Sequence, residues 1–256
     1  MSLVIENLSF RYGGREVLHE ISFAAEVGEL LAILGPNGVG KTTLFKCVMG
    51  LERPCAGRIL ADGTDLSALS PRARAHRVAL IPQVHPLSFR YSVFDMVLMG
   101  TSHQLSSFAV PGERERAAAR AALERVNVAH LSERPFDRLS GGEQQLVFVA
   151  RALAQQARIL LMDEPTASLD YGNRLRVLGA ARDLARDGYT VLLSTHDPQH
   201  ALWFADRALA LHQGRILALG APREVVTADL LCRLYGRKIA LVDTPQGPVV
   251  VPEEAG

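Results

Sequence analysis

An α/β fold is predicted by three features of the 256-residue chain. The apolar run Leu30-Leu31-Ala32-Ile33-Leu34 stops at a glycine-rich loop, and a helix-like segment opens at Lys41. Two later apolar runs, Ile159 to Met162 and Val191 to Leu193, also stop abruptly at polar clusters. Segments of helical texture separate the runs. Continuous apolar strands between helices are the signature of a sheet covered on both faces.

The first loop carries the most chemistry. Gly35, Gly40, Lys41 and Thr42 fit G-x-x-x-x-G-K-S/T, with a strand before and a helix after, as that motif requires. Glycines let the backbone turn tightly, so that successive N–H groups point at phosphate oxygens. The helix start adds its positive dipole end. Lys41 reaches β- and γ-phosphates in such loops, and the Thr42 hydroxyl can ligand Mg²⁺.

From the start of the chain, residues 3–34 are β-rich, with turns at Gly13-Gly14 and Val27-Gly28. Tyr12 either stacks on a base or ends a strand. Gly57 to Leu60 and Val78 to Ile81 are predicted strands, and Pro71 to His76 a helix. Gln83 follows the second strand, where its amide either reaches a metal or water or is an ordinary loop group. The texture turns helical from Ser92 to Leu139, with His103 to Val110 as loop and a helix led in by Pro111 and ending at Arg125. Ser140-Gly141-Gly142 precede a helix whose apolar face is Leu146, Val149 and Leu153. They are either a second anion-binding element or a plain cap.

Ile159 to Met162 ends in Asp163 and Glu164. Carboxylates at such a strand end face the ligand crevice, where one can hold Mg²⁺ and the other accept a proton from water. Ala167 to Asp170 makes a tight turn, and Tyr171 to Arg186 a long helix. After Val191 to Thr195, His196 either meets a phosphate or is structural. His196 and His200 have metal-like spacing, but Pro198 and the lack of H-E-x-x-H argue against a metal there. Ala208 to Leu219 is a hairpin through Gln213-Gly214. A helix over Ala228 to Tyr235 and a hairpin through Pro245-Gln246-Gly247 complete the chain.

Bulk properties narrow the function classes. A net charge of +1 does not mark a general nucleic-acid binder. No apolar run approaches a membrane span, and the start MSLVIENLSF is no signal peptide. A cytosolic protein, or one held at a membrane by a partner, is expected. Cys47, Cys55 and Cys232 have neither disulfide nor zinc spacing and are expected to be buried apolar residues in a reducing compartment.

Tyr12, the phosphate loop, Gln83, a helical insertion, LSGGEQQ, ILLMDEP, ASLD and STHD stand here in one order. Over nearly its whole length the chain resembles the ATP-binding subunit of ABC transporters. The resemblance implies a P-loop NTPase core with a mixed sheet, an N-terminal antiparallel β subdomain and a helical insertion. Residues 1–91 and 140–236 would form the core with its β subdomain, 92–139 the helical subdomain and 237–256 a terminal hairpin. It implies ATP and Mg²⁺ as ligands. Tyr12 would stack on adenine, and Asn37, Gly38, Val39, Gly40, Lys41, Thr42 and Thr43 would wrap the phosphates. Thr42, Gln83 and Asp163 would hold the metal. Glu164 would be the general base, with Lys41, Gln83 and His196 beside it in catalysis. Ser140, Gly141 and Gly142 would complete the site of a second copy in a head-to-tail homodimer, and Asp170 would be the D-loop residue at the nucleotide. Glu143 departs from the glutamine usual in the family, a change expected at most to tune activity.

A finer resemblance rests on Tyr91 to Gly100, HDPQHAL from His196 and PREVVTADLLCRLYG after Ala221. These are similar to importers of the iron-chelate, haem and cobalamin group, with molybdate among the relatives' cargoes. It implies two transmembrane permease subunits, an extracytoplasmic solute-binding protein, no nucleic acid, and a peripheral place on the cytoplasmic face of the membrane. Residues 83–100 would form the permease groove, with Phe89, Val93 and Phe94 lining it or belonging to the core. Other readings are the ATPase of an exporter or of another importer, a soluble ABC protein, and a non-hydrolysing binding module.

Overall fold

The computed structural model describes residues 2–83, 90–105, 109–245 and 247–253. Strands β1 (Leu3–Tyr12) and β2 (Arg15–Ala25) form a hairpin through Gly13-Gly14. β3 (Leu30–Leu34) then runs into the phosphate loop and helix α1 (Lys41–Met49). β4 (Ala56–Ala61) and β5 (Thr64–Asp65) return to the first hairpin, giving an antiparallel sheet in the order β2-β1-β4-β5. Helix α2 (Pro71–Ala75), capped by Ser70, leads into β6 (Val78–Ile81).

Next comes a helical region of α3 (Val93–Leu98), a 3₁₀ segment Met99–Gln104 and α4 (Glu113–Arg125). His103 and Gln104 therefore belong to a helical turn rather than to a loop, because the chain tightens as it leaves α3. Residues 106–108 of the expected loop lie outside the described residues. Helix α5 (Gly141–Ala154) and β7 (Ile159–Asp163) follow, then α6 (Tyr171–Arg186) and β8 (Thr190–Thr195). The last part holds α7 (Pro198–Phe204), β9 (Arg207–His212), β10 (Arg215–Gly220), α8 (Pro222–Val225), α9 (Ala228–Tyr235), β11 (Ile239–Thr244) and β12 (Gly247–Pro252).

The central sheet runs β10-β9-β3-β8-β7-β6, with β10 antiparallel and the others parallel. Alternation along its strands divides the cores. Leu31 and Ile33, Ile159 and Leu161, and Leu192 face one core shared with the antiparallel sheet. Leu160, Met162, Val191 and Leu193 face the opposite core, with α5, α6 and the helical region. Ala32 and Leu34 face a third, smaller core of α7, α8 and α9. Burial on both faces is why these strands read as unbroken apolar runs.

One expectation fails and one open alternative is decided. Cys47 is buried and its thiol is pushed up to about 12, chiefly by desolvation. Cys55, however, is exposed on the approach to β4, and Cys232 is half-buried on α9. Of the residues read as groove or core, Val93 is fully buried in the core on the inner face of α3, and Phe94 is half-buried and packs against that core. Phe89 lies outside the described residues. No helix among the described residues is long and apolar enough to cross a membrane.

Helix α1 packs on β6 and β7 and touches β2, burying Phe45 to 1% exposure. Phe45→Ala is expected to cost about 3–5 kcal/mol of stability, read as a lower urea midpoint with an unchanged slope.

Candidate active site

Register places the reactive ends of three strands together. Leu34 pairs with Thr195, and Asp163 with Ser194, so Gly35, Glu164 and His196 emerge at one edge of the sheet. The Gly35 N–H donates to the Thr195 carbonyl at 3.2 Å, which ties the phosphate loop to the end of β8. This is the carboxyl edge where parallel sheets bind ligands.

The loop has the backbone that an anion cradle requires. Gly38 and Gly40 have φ of +82° and +113°, which L side chains rarely adopt. A Cβ on Gly40 would also lie 2.8 Å from Leu18 of β2. Gly40 caps α1 with no side-chain bond, so the first turn offers its N–H groups to a ligand instead. Lys41 is 4% exposed, and its ammonium donates to the carbonyls of Gly35 (2.6 Å) and Pro36 (3.0 Å). The residues present thus fit a polyphosphate: an uncapped helix start, a glycine turn and a buried cation beneath it. Thr42 and Thr43 stand in the first turn, with Asn37 and Val39 in the loop.

Glu164 joins the loop to the other strand ends. Its Oε1 lies 3.1 Å from the Lys41 ammonium, and its Oε2 3.1 Å from Nδ1 of His196. The carboxylate is thus held at both oxygens, one facing a buried cation and the other an imidazole that is 48% exposed. Its backbone takes φ +44°, a left-handed value uncommon for glutamate. Ser194 supports this conformation. Its buried hydroxyl donates to Asp163 Oδ1 at 2.7 Å and accepts the Glu164 N–H at 2.9 Å. The sequence reading passed over Ser194, although a hydroxyl inside an otherwise apolar strand was its signal.

A second cluster forms at the starts of α5 and α6. Ser140 caps α5 and closes a reciprocal box with Glu143. Glu143 accepts the Ser140 N–H and hydroxyl, both at 2.8 Å. A Cβ on Gly142 would strike the Asn173 side chain at 2.3 Å, and one on Gly141 would meet Leu169 at 3.0 Å. Asp170 caps α6 and accepts from Asn173 N–H (2.9 Å) and Nδ2 (2.7 Å). These bonds hold its carboxyl below the usual range. Among the described residues, no hydrogen bond joins this cluster to the phosphate loop.

Tyr12 ends β1 at the hairpin turn, 44% exposed, with its hydroxyl on Glu52 at 3.1 Å and its ring edge-on to Phe10. Gln83 lies two residues past β6, half-buried. His200 does not join His196. It is buried, its Nδ1 is 2.9 Å from Thr195 Oγ1, and desolvation lowers its pKa against the pull of Asp197.

The family model described as ABC transporter matches residues 18–167. A hemin import ATP-binding protein, HmuV of Myxococcus xanthus, is 39% identical over 99% of this chain and 97% of its own length. A cobalamin import ATP-binding protein, BtuD of Halobacterium salinarum, is 37% identical over 98% of this chain and 63% of its own. Among solved structures, an inward-facing transporter described as of metal-chelate ABC type superposes with a TM-score of 0.87. It is 32% identical over 99% of this chain and 97% of that one.

Two hydrogen bonds from Ser140 hold the Glu143 carboxyl below its ordinary value of 4.5. A lowered folded pKa stabilises fully above the unfolded value and is lost as pH falls through the folded one. Urea unfolding of the native chain and Glu143→Gln should therefore show a native advantage at neutral pH that shrinks in acid. Parallel pH profiles would contradict this.

Proposed function

Because the chain belongs to the ABC transporter family of ATP-binding proteins, and is an ATPase with a P-loop α/β fold, we propose that it is the motor subunit of an importer for a metal chelate. The observation that carries the reading is Glu164, held between Lys41 and His196 at the mouth of the phosphate loop. The relatives named for hemin and cobalamin import support the cargo class.

In this reading Tyr12 stacks on adenine. The amides of Asn37 to Thr43 wrap the phosphates, and the Lys41 ammonium leaves Glu164 to meet the β- and γ-oxygens. Thr42, Asp163 and Gln83 would hold Mg²⁺, which when bound neutralises phosphate charge. Glu164, freed of its cation, accepts a proton from the attacking water. His196 keeps the carboxylate oriented and faces the γ-phosphate. Ser194 fixes both acids throughout.

The second cluster completes the reaction in trans. Ser140, Gly141 and Gly142 present a helix start of their own, and Asp170 adjoins them through Asn173 and α6. Two copies paired head to tail would place each ATP between one copy's phosphate loop and the other's Ser140–Gly142. Loss of the γ-phosphate removes that contact and opens the pair. Residues 1–91 and 140–236 act as the nucleotide-binding core and 92–139 as the arm toward the membrane. Exposed Tyr91 and Met99, with Leu98, Leu105 and Pro111, line a shallow apolar depression on that arm. It suits one of two permease subunits, with Val93 left to the core. A solute-binding protein outside the cell would deliver the cargo, and the ATPase would sit peripherally on the cytoplasmic face. Nucleic acid has no part in this scheme.

Glu164→Gln should lower hydrolysis by at least about 100-fold and let ATP–Mg²⁺ trap a dimer visible by light scattering. A variant that stays monomeric at saturating ATP–Mg²⁺ would refute the sandwich. In cells, the same variant should abolish uptake of one cargo among labelled ferric siderophore, haem, cobalamin and molybdate. Normal entry of all four would remove the metal-chelate reading.

A further inference from the structure

The segment after β10 reaches back to the active-site edge and grips the loop that carries His196. The Tyr235 hydroxyl, 39 residues away in sequence, donates to the His196 backbone carbonyl at 2.7 Å. Tyr235 is itself fixed. It is the last residue of α9, whose Leu230, Leu231 and Leu234 are buried in the third core. Gly236, at φ +65°, ends the helix there, with its N–H on the Cys232 carbonyl at 2.9 Å. On the other side of His196, the terminal hairpin holds α7. The Gln199 side chain donates to the Pro248 carbonyl at 3.0 Å and accepts the Val250 N–H at 3.1 Å.

The His196 imidazole is 48% exposed, so packing does little to hold it on Glu164. Its direction is set by the backbone at the end of β8. That backbone is held from within by Thr195, whose hydroxyl accepts the Asp197 N–H at 3.0 Å, and from outside by Tyr235. We infer that Tyr235 is a positioning residue for ATP hydrolysis, holding the His196 backbone so that the imidazole stays on Glu164. The inference rests on the proposed role of His196. The phenol is suited to the task. Burial, with Asp197 and Glu164 nearby, raises its ionisation above the usual range, so it remains a donor. The terminal hairpin gains a role as well, as the outer brace of the same loop.

Tyr235→Phe removes the hydroxyl and keeps the ring. The maximal rate of ATP hydrolysis by the full chain at saturating ATP–Mg²⁺ should fall by about five- to tenfold, with the half-saturating ATP concentration unchanged within about twofold. In a His196→Ala background, the same substitution should change the residual rate by less than about twofold, because residues that act through one another are not additive. An equal loss in both backgrounds, or no loss in the native background, would overturn the inference while leaving His196 in its role. A His196→Ala chain that hydrolyses ATP at the native rate would overturn both.

Discussion

One carboxylate organises the nucleotide-facing edge of this protein. Glu164 stands between a buried ammonium and an exposed imidazole, and each of its oxygens has one of them. A cation as buried as Lys41 needs a counter-charge or hydrogen bonds. Two loop carbonyls and Glu164 supply these before any phosphate arrives. In the proposed function, phosphate entry is an exchange of anions at Lys41, and the exchange releases Glu164 to serve as the base. On that proposal, binding and activation share a single residue.

That arrangement depends on the sheet. The stations sit on separate strands, and parallel register brings their carboxyl ends level. Ser194 and the Gly35–Thr195 bond lock neighbouring strand ends to one another. Small shifts at one strand end would thus be felt at the others. The left-handed backbone of Glu164 is part of the same constraint, since strain of this kind persists only where the surroundings over-determine it.

Much of this was legible in the chain, for physical reasons. Strands buried on both faces write long apolar runs, and helix α6 starts where its reading put it, at the residue after its cap Asp170. Helix α7 was passed over, although Asp197 as cap and Pro198 at the first position announce it. Its short, polar start gave no periodicity. Side-chain direction was harder. Val93 and Phe94 looked equally fit for groove or core, and only packing assigns Val93 inward and leaves Phe94 half-buried at its edge. Ser194 and Tyr235 act through single hydrogen bonds to distant residues, which spacing does not encode. Nor does spacing show that Ser140–Gly142 and Asp170 gather around Asn173.

The claim that Glu164 restrains Lys41 until phosphate arrives is tested most directly by calorimetric titration of ATP, without Mg²⁺, into the native chain and Glu164→Gln. Removing the charge frees the ammonium and removes repulsion of the phosphates, so the variant should bind ATP more tightly. If Glu164→Gln weakens ATP binding as much as Lys41→Ala does, the carboxylate is a prop for the nucleotide rather than its competitor, and the account is wrong.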